Sequence, residues 1–348
     1  MDGPYDEDRL ERLRRAVDAL SPRWGFEDGA SASLLSVSEN ATYRVEGPDG
    51  APIAAVRVHR PAYHGVAEIE SELAWIEALR ADGVVPTPRP LPLVGGGSVA
   101  SFVEGGEIRR AVAFEFVTGS EPEPGEDLGP VFRTLGAIGA RLHRHARRWR
   151  PPAGFSRKRW DVETILGDAP HWGRWQDVPG LGAGARRSLG RCADALAERL
   201  GRYGDGADRF GLVHAALRLA NLLVGEDGLS VIDFDDCGFA WYGFDFAAAI
   251  SFFEEAPWAP ALMDAWCEGY RTVAALADAD AAMLPTFVML RRMQLTAWLA
   301  TRAETPTAAA LGDGYLAGTE RLARAFLDTG SPFGTPPART MGSAPPRG

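Results

Sequence analysis

Asn221 and Asp233 flank a stretch that reads as a tight hairpin. Leu222-Leu-Val224 is a short apolar strand, Gly225-Glu-Asp-Gly228 a turn, and Leu229-Ser-Val-Ile232 a second strand. A hairpin brings its open ends together, so these two polar residues should face each other within side-chain reach. One carbonyl oxygen and one carboxylate at that mouth make a hard oxygen site suited to Mg2+. Asn and Asp also flank hairpins simply as turn formers and helix caps, and these residues alone leave that plainer role open. Asp235 and Asp236 add negative charge just beyond.

Arg57 and Glu72 form a second candidate pair. Residues 67–80 carry apolar side chains at helical spacing. On a wheel of about 100° per residue, Glu72 falls inside the arc of Leu73, Ile76 and Leu79. A carboxylate pointing into a core needs a cation. Arg57 lies in the apparent strand Ile53–Val58, and alternation puts Val56 and Val58 on the opposite face from it. A surface salt bridge is the plainer alternative.

The surrounding text resembles the aminoglycoside phosphotransferases and related kinase-like phosphotransferases. His214-Ala-Ala-Leu-Arg-Leu-Ala-Asn221 is similar to their H-G-D-x-H-x-x-N catalytic loop. Val231-Ile-Asp-Phe-Asp-Asp236 resembles their metal segment, and Tyr242-Gly-Phe-Asp-Phe-Ala247 their Y-D-L-A stretch. Arg60-Pro61 after the third strand looks like the branch of stress-response Ser/Thr kinases. The likeness runs over about residues 30–330, strongest at 36–75 and 211–250.

That resemblance implies an α+β, bilobal protein-kinase-like fold that binds ATP and Mg2+ between its lobes. Asn221 and Asp233 would hold the ion, and Asp245 would brace the catalytic loop. Arg57 would stand where kinases use a lysine on the phosphates, paired with Glu72. Arginine is fork-shaped and no free substitute for a lysine, but the chain has a single lysine, Lys158, so composition alone can account for it. Phe114-Glu-Phe-Val117 would be the hinge, with backbone near Phe116 on the adenine. Ser36–Tyr43, including Asn40, would cover the phosphates, although it lacks a G-x-G-x-x-G pattern.

The catalytic loop departs from the family at position 216. The residue expected there is the Asp that takes or orients the acceptor hydroxyl, and this chain has Ala216. General-base help is worth about 10²–10⁴-fold, so the chain should be a poor phosphotransferase. Either Ala216 is an engineered substitution that lets nucleotide and acceptor sit together unreacted, or it is natural and the chain is a pseudokinase that binds nucleotide or substrate. Intact Asn221, Asp233 and Glu72 fit a single isolated lesion. Asp235 and Asp236 are neighbouring carboxylates that could offer partial rescue. Arg218 replaces the second His of the motif, as a phosphate-facing cation or as a surface residue.

These residues need elements to hold them. A charged helix is expected over 8–20, strands at 33–38, 41–45 and 53–58, and a helix at 67–80. Further strands are expected at 89–94, 99–103 and 110–117. The division is an N-lobe of 1–117, with a five-stranded sheet and one embedded helix, and a mainly helical C-lobe of 118–330. Thr118–Gly129 is the boundary segment, one short strand pair lies near 211–232, and a Pro/Gly/Ser-rich tail at 331–348 should be disordered.

Composition narrows the rest. The chain has 348 residues and a formal charge of −10, with no basic footprint for nucleic acid. Its lone lysine sits without the glycines of a P-loop, which excludes that NTPase class. Three cysteines without C-x-x-C spacing support neither a disulfide framework nor a cysteine zinc site. No signal peptide and no membrane-length apolar run is visible, which fits a cytoplasmic protein. Trp160-Asp161, Trp172, Trp175, Phe252-Phe-Glu-Glu255 and Trp258 place aromatics beside carboxylates, suited to an amino sugar, a cationic peptide or a polyol, or else to a core. Arg291–Trp298 should be a packing helix, and the Arg141–Arg150 run a solvated helix face. The expected parent activity moves the γ-phosphate of ATP to a hydroxyl of a small molecule, or of a Ser/Thr in a protein or peptide.

Overall fold

Buried and half-buried side chains alternate along Ala41–Glu46, while the neighbouring strands of the first sheet, Pro52–Val58 and Glu107–Glu115, each bury three residues in a row. The computed structural model describes residues 5–122, 127–226, 228–303 and 305–334. Helix α1 (Glu7–Leu20) precedes strands β1 (Ser31–Val37), β2 (Ala41–Glu46) and β3 (Pro52–Val58). Helix α2 (Val66–Ala81) follows, then β4 (Pro90–Leu91), β5 (Ala100–Glu104) and β6 (Glu107–Glu115). The antiparallel sheet runs β1-β2-β3-β6-β4, with β5 also paired to β6. The sheet is therefore six-stranded rather than five-stranded. The strand expected at 89–94 shrinks to two residues because Pro86, Pro88, Pro90 and Pro92 remove alternate backbone donors.

One face of this sheet is apolar. Tyr43, Val45, Ala54, Val56 and Val58 pack against Leu13, Val17 and Leu20 of α1 and against Trp24. Arg57 projects from the other face, where α2 lies. Ile69, Leu73, Trp75, Ile76 and Leu79 of α2 belong to the second, larger core, which it shares with the helical part. α2 thereby joins the sheet to the rest of the molecule.

The C-terminal part contains α3 (Gly129–Ala146), α4 (Val162–Leu166) and α5 (Ala183–Tyr203). Next come β7 (Phe210–Val213), β8 (Leu222–Gly225), β9 (Gly228–Val231) and β10 (Gly238–Trp241). The chain continues through α6 (Phe244–Ala249), α7 (Ala259–Arg271), α8 (Asp278–Ala281), α9 (Leu284–Thr301) and α10 (Pro306–Thr329). Two ribbons form here, β8-β9 and β7-β10, where one strand pair was expected. The register Leu222↔Val231 sets the first ribbon, and Ile232 N–H donates to Asn221 O at its open end, 2.9 Å away. Ser120 bridges to Val224, so the segment leaving the sheet is tied to this ribbon. Residues 123–126 of the expected boundary segment, Asp227 of the expected turn, and residues 335–348 of the expected tail lie outside the described residues. Among the described residues, no helix is long and apolar enough to cross a membrane.

Candidate active site

Two cavities meet where the β8-β9 ribbon opens. The outer one, of about 550 Å³, lies under the sheet and is lined by Ser36, Val37, Arg57, Ile76, Phe114, Phe116, Val117 and Phe234. The inner one, of about 60 Å³, is lined by Ala216, Asp235, Asp236, Trp172, Arg291 and Trp298. Asn221, Asp233, Arg218 and Ser38 line both, so they stand at the junction. Asn221 is 5% exposed, and its Nδ2 donates to Ala216 O at 2.8 Å, which leaves its Oδ1 free. Asp233 has φ +59°, a left-handed conformation that costs a non-glycine residue about 1–2 kcal/mol. Its side chain is 36% exposed, with Oδ1 3.3 Å from Arg57 Nη1. One amide oxygen and one carboxylate at this junction suit a hard divalent ion.

Arg57 and Glu72 form a buried pair, not a surface one. Arg57 Nη2 donates to both oxygens of a fully buried Glu72, at 2.8 and 2.6 Å. The guanidinium also lies 3.7 Å from Asp235 and sits over the Phe114 ring at 5.3 Å. Burial works against its charge, but Glu72, Asp235 and Asp233 prevail and push its pKa up. The guanidinium divides the work between two nitrogens, Nη2 on Glu72 and Nη1 toward Asp233, where a lysine would bring one.

Asn40 does not reach the outer cavity. Its Nδ2 donates to Asp235 at 2.7 Å and its Oδ1 accepts from Arg60 N–H at 3.0 Å, so its amide is spent on tying the β1-β2 turn to the ribbon end. It lines the inner cavity, next to the junction that both cavities share. Phe114 and Phe116 both line the outer cavity, with Arg44 over the Phe116 ring at 5.5 Å.

The loop before Asn221 is held from behind. Asp245 is fully buried. Its Oδ1 accepts from Ala215 N–H at 2.7 Å, its Oδ2 accepts from His214 N–H at 3.4 Å, and His143 Nε2 lies 2.8 Å from that Oδ2. Burial lowers the pKa of His214. As a neutral ring it accepts from Ala216 N–H at Nδ1 and donates from Nε2 to Ile232 O at 3.2 Å, which joins the loop to the ribbon. Ala215 has φ +62°, where the resembling motif has glycine. Ala216 is 6% exposed and turns its methyl group to the inner cavity.

An ionic cluster lies behind the junction. Asp235 receives His59 at 3.3 Å and His64 at 3.6 Å. Burial and then Arg57 hold His59 down to about 4, so it is neutral. Burial also opposes a charge on His64, but Asp235 and Glu68 lift it to about 9. Ligand atoms of His64, Asp235 and Asp236 lie within 4.8 Å of one another. A protonated His64 has no lone pair to offer a metal, so the trio reads as an ion pair.

Sequence reasoning missed several of these residues. Glu39 is clamped by Arg302 at 2.9 Å and by Trp298 Nε1 at 3.2 Å. His143 belongs to the run taken as a solvated face. Arg141, Arg144, Arg147 and Arg148 are exposed there, but His143 is fully buried. Its place on the apolar face of α3 was the available signal. Arg291, expected to pack, lines the inner cavity with its Nε unpartnered, over the Trp172 ring at 4.7 Å. Arg292 does pack, bound to Glu254 at 2.8 Å. Of the aromatics beside carboxylates, Trp172 and Phe252 line the inner cavity, Trp160 and Trp175 are buried, and Trp258 is 43% exposed.

Residues 32–276 match the Phosphotransferase enzyme family. The chain belongs to this family. As a member it is a kinase-like phosphotransferase with the α+β, two-part fold its sequence resembles. The solved structure of a microcompartment-associated aminopropanol kinase is 44% identical, with a TM-score of 0.83 over 90% of this chain and 97% of that one. An amicoumacin kinase of Bacillus subtilis (strain 168) is 25% identical over 305 residues, 84% of this chain and 86% of that protein. A solved amicoumacin kinase in complex with AMP-PNP, Ca2+ and Ami has a TM-score of 0.69 at 22% identity, over 91% of this chain and 94% of that one, a likeness of fold.

Proposed function

We propose that this phosphotransferase moves the γ-phosphate of ATP to the hydroxyl of a small, amine-bearing alcohol, with Mg2+ as the ion. The observation that carries this reading is the junction: Asn221 and Asp233 line both the outer and the inner cavity. A phosphate group passing from a nucleotide in one to an alcohol in the other has to cross between them. Asn221 Oδ1 and the Asp233 carboxylate would hold the ion, which would neutralise phosphate charge. Arg57, fixed by Glu72, would face the phosphates, and the backbone near Phe116 would take the adenine. Residues 1–117 would thus serve the nucleotide and residues 118–330 the acceptor.

The inner cavity favours a small acceptor over an aminoglycoside or a peptide. At about 60 Å³ it has room for about five water-sized groups. Four carboxylates, Glu39, Asp233, Asp235 and Asp236, outnumber Arg218 and Arg291 there, and Trp172, Phe252 and Trp298 offer aromatic faces. An ammonium group suits that balance. The 44% identity to an aminopropanol kinase points the same way. Ala216 slows the proton-transfer part of the reaction without touching nucleotide binding.

Calorimetry with Mg-ATP, followed by ADP release with 1-amino-2-propanol and related amino alcohols, tests the reading. Mg-dependent nucleotide binding with amine-dependent ADP release supports it. Nucleotide binding that never leads to transfer, even in Ala216→Asp, makes the chain a pseudokinase-type binding module. Absence of nucleotide binding removes both readings.

A further inference from the structure

A methyl group stands at position 216 where the resembling motif has its proton acceptor, yet the inner cavity is not short of carboxylates. Of the four that line it, three are engaged. Glu39 is held by Arg302 at 2.9 Å. Asp233 faces Arg57 at 3.3 Å and belongs to the ion position. Asp235 sits among Asn40, His59, His64 and Arg57. Asp236 differs. Its one side-chain hydrogen bond among the described residues comes from Tyr63 Oη to Oδ1, at 2.6 Å. Tyr63 in turn accepts from Trp172 Nε1 at 2.8 Å, so the donor is fixed in place. The second oxygen of Asp236 has no such partner, and the residue is partly exposed into the same cavity as Ala216.

We propose that Asp236 accepts the hydroxyl proton of the acceptor during phosphoryl transfer, in place of the carboxylate that position 216 lacks. This rests on the phosphotransfer reading above. The acceptor oxygen forms a bond to the γ-phosphorus, the bond from that phosphorus to the β,γ-bridging oxygen breaks, and ADP leaves with the electron pair. The hydroxyl proton passes to the free Asp236 oxygen and from there to solvent. The groups that face Asp236 agree with this role. Burial and then Asp235 push its carboxyl up to about 6, while Tyr63 and Arg291 pull it down and Glu39 adds to the rise. A base poised there is ionised at neutral pH yet still attracts a proton.

The experiment compares the parent chain with Asp236→Asn, Tyr63→Phe and the double variant Ala216→Asp/Asp236→Asn. The parent should show a kcat profile with an acid limb near pH 6. Asp236→Asn should lose about 10²-fold in kcat and the limb with it, at unchanged Mg-ATP affinity by calorimetry. Tyr63→Phe removes a hydrogen bond that favours the ionised form, so the limb should move to higher pH. The double variant should recover the rate. Thermal unfolding gives a reading free of turnover. The raised carboxyl of folded Asp236 makes the parent lose stability as pH rises from about 4 through about 6, and Asp236→Asn should lack that slope. An unchanged kcat and limb in Asp236→Asn overturns the proposal. So does a rise confined to acceptor KM, which would make Asp236 an amine anchor, and so does a folded, ATP-binding double variant that stays inactive. A parent that binds Mg-ATP but transfers to no alcohol also overturns it, whereas a parent that binds no Mg-ATP removes the phosphotransfer reading instead.

Discussion

The two sides of the junction are built to different standards. On the outer side, one guanidinium serves three carboxylates, and Glu72 spends both oxygens on it. On the inner side, Ala216 contributes a methyl group, and among the described residues Asp236 keeps an unpaired oxygen and Arg291 an unpartnered Nε. The outer side is over-determined, and Glu72, which is fully buried, has Arg57 as its side-chain partner among the described residues. The inner side has unspent polar groups that a bound molecule or water can take up. On the function proposed above, fixed geometry would serve a nucleotide that is always the same, and unspent groups would serve the acceptor.

Breaking the outer side should give the largest effect. Glu72→Ala strands Arg57 beside a cavity, and we expect a loss of about 3–5 kcal/mol in stability by denaturant unfolding. A loss under 1 kcal/mol would mean that the pair is not the strut its geometry makes it. Next comes Ala216→Asp, which fills the gap on the inner side. Single-turnover transfer should rise by about 10²-fold with ATP affinity unchanged. Arg57→Lys asks whether the fork matters. A lysine keeps the charge but not the bidentate bond, so stability should fall by about 1.5–3 kcal/mol. The smallest effect should come from His64→Gln. Folded His64 titrates at about 9 against an ordinary 6.5, so its contribution is complete below 6.5 and fades as pH rises through 9. The variant should flatten the stability slope across that window.

Legibility followed sequence separation. Glu72 could be read because helical period alone places it in an apolar arc, and the structure buries it fully. Asn221 and Asp233 could be read because a short ribbon has two ends, and both reach one junction. The Glu39–Arg302 clamp could not, since it closes over 263 residues and neither partner carries a motif. The His143–Asp245 contact was hidden by its arginine neighbours, which drew attention to the exposed face of the same helix. The Asn40–Asp235 bond could not be read either, because a loop without glycines says little about direction and only the fold shows that Asp235 takes its amide. Strand β4 fell short of 89–94 through proline placement, a signal present in the sequence but outweighed there by apolar residues.

Ala215 bears on how readily position 216 can change. Its backbone keeps a left-handed turn with no glycine to ease it, while Asp245 grips the His214 and Ala215 amides that lead into the bend. The mould of the loop thus stands whatever side chain position 216 carries. An alanine codon ending in a pyrimidine becomes an aspartate codon by one base change, and the new carboxylate would emerge already aimed at the inner cavity. A carboxylate at this point of the cavity is then one step away in mutational space, on a backbone already bent to receive it.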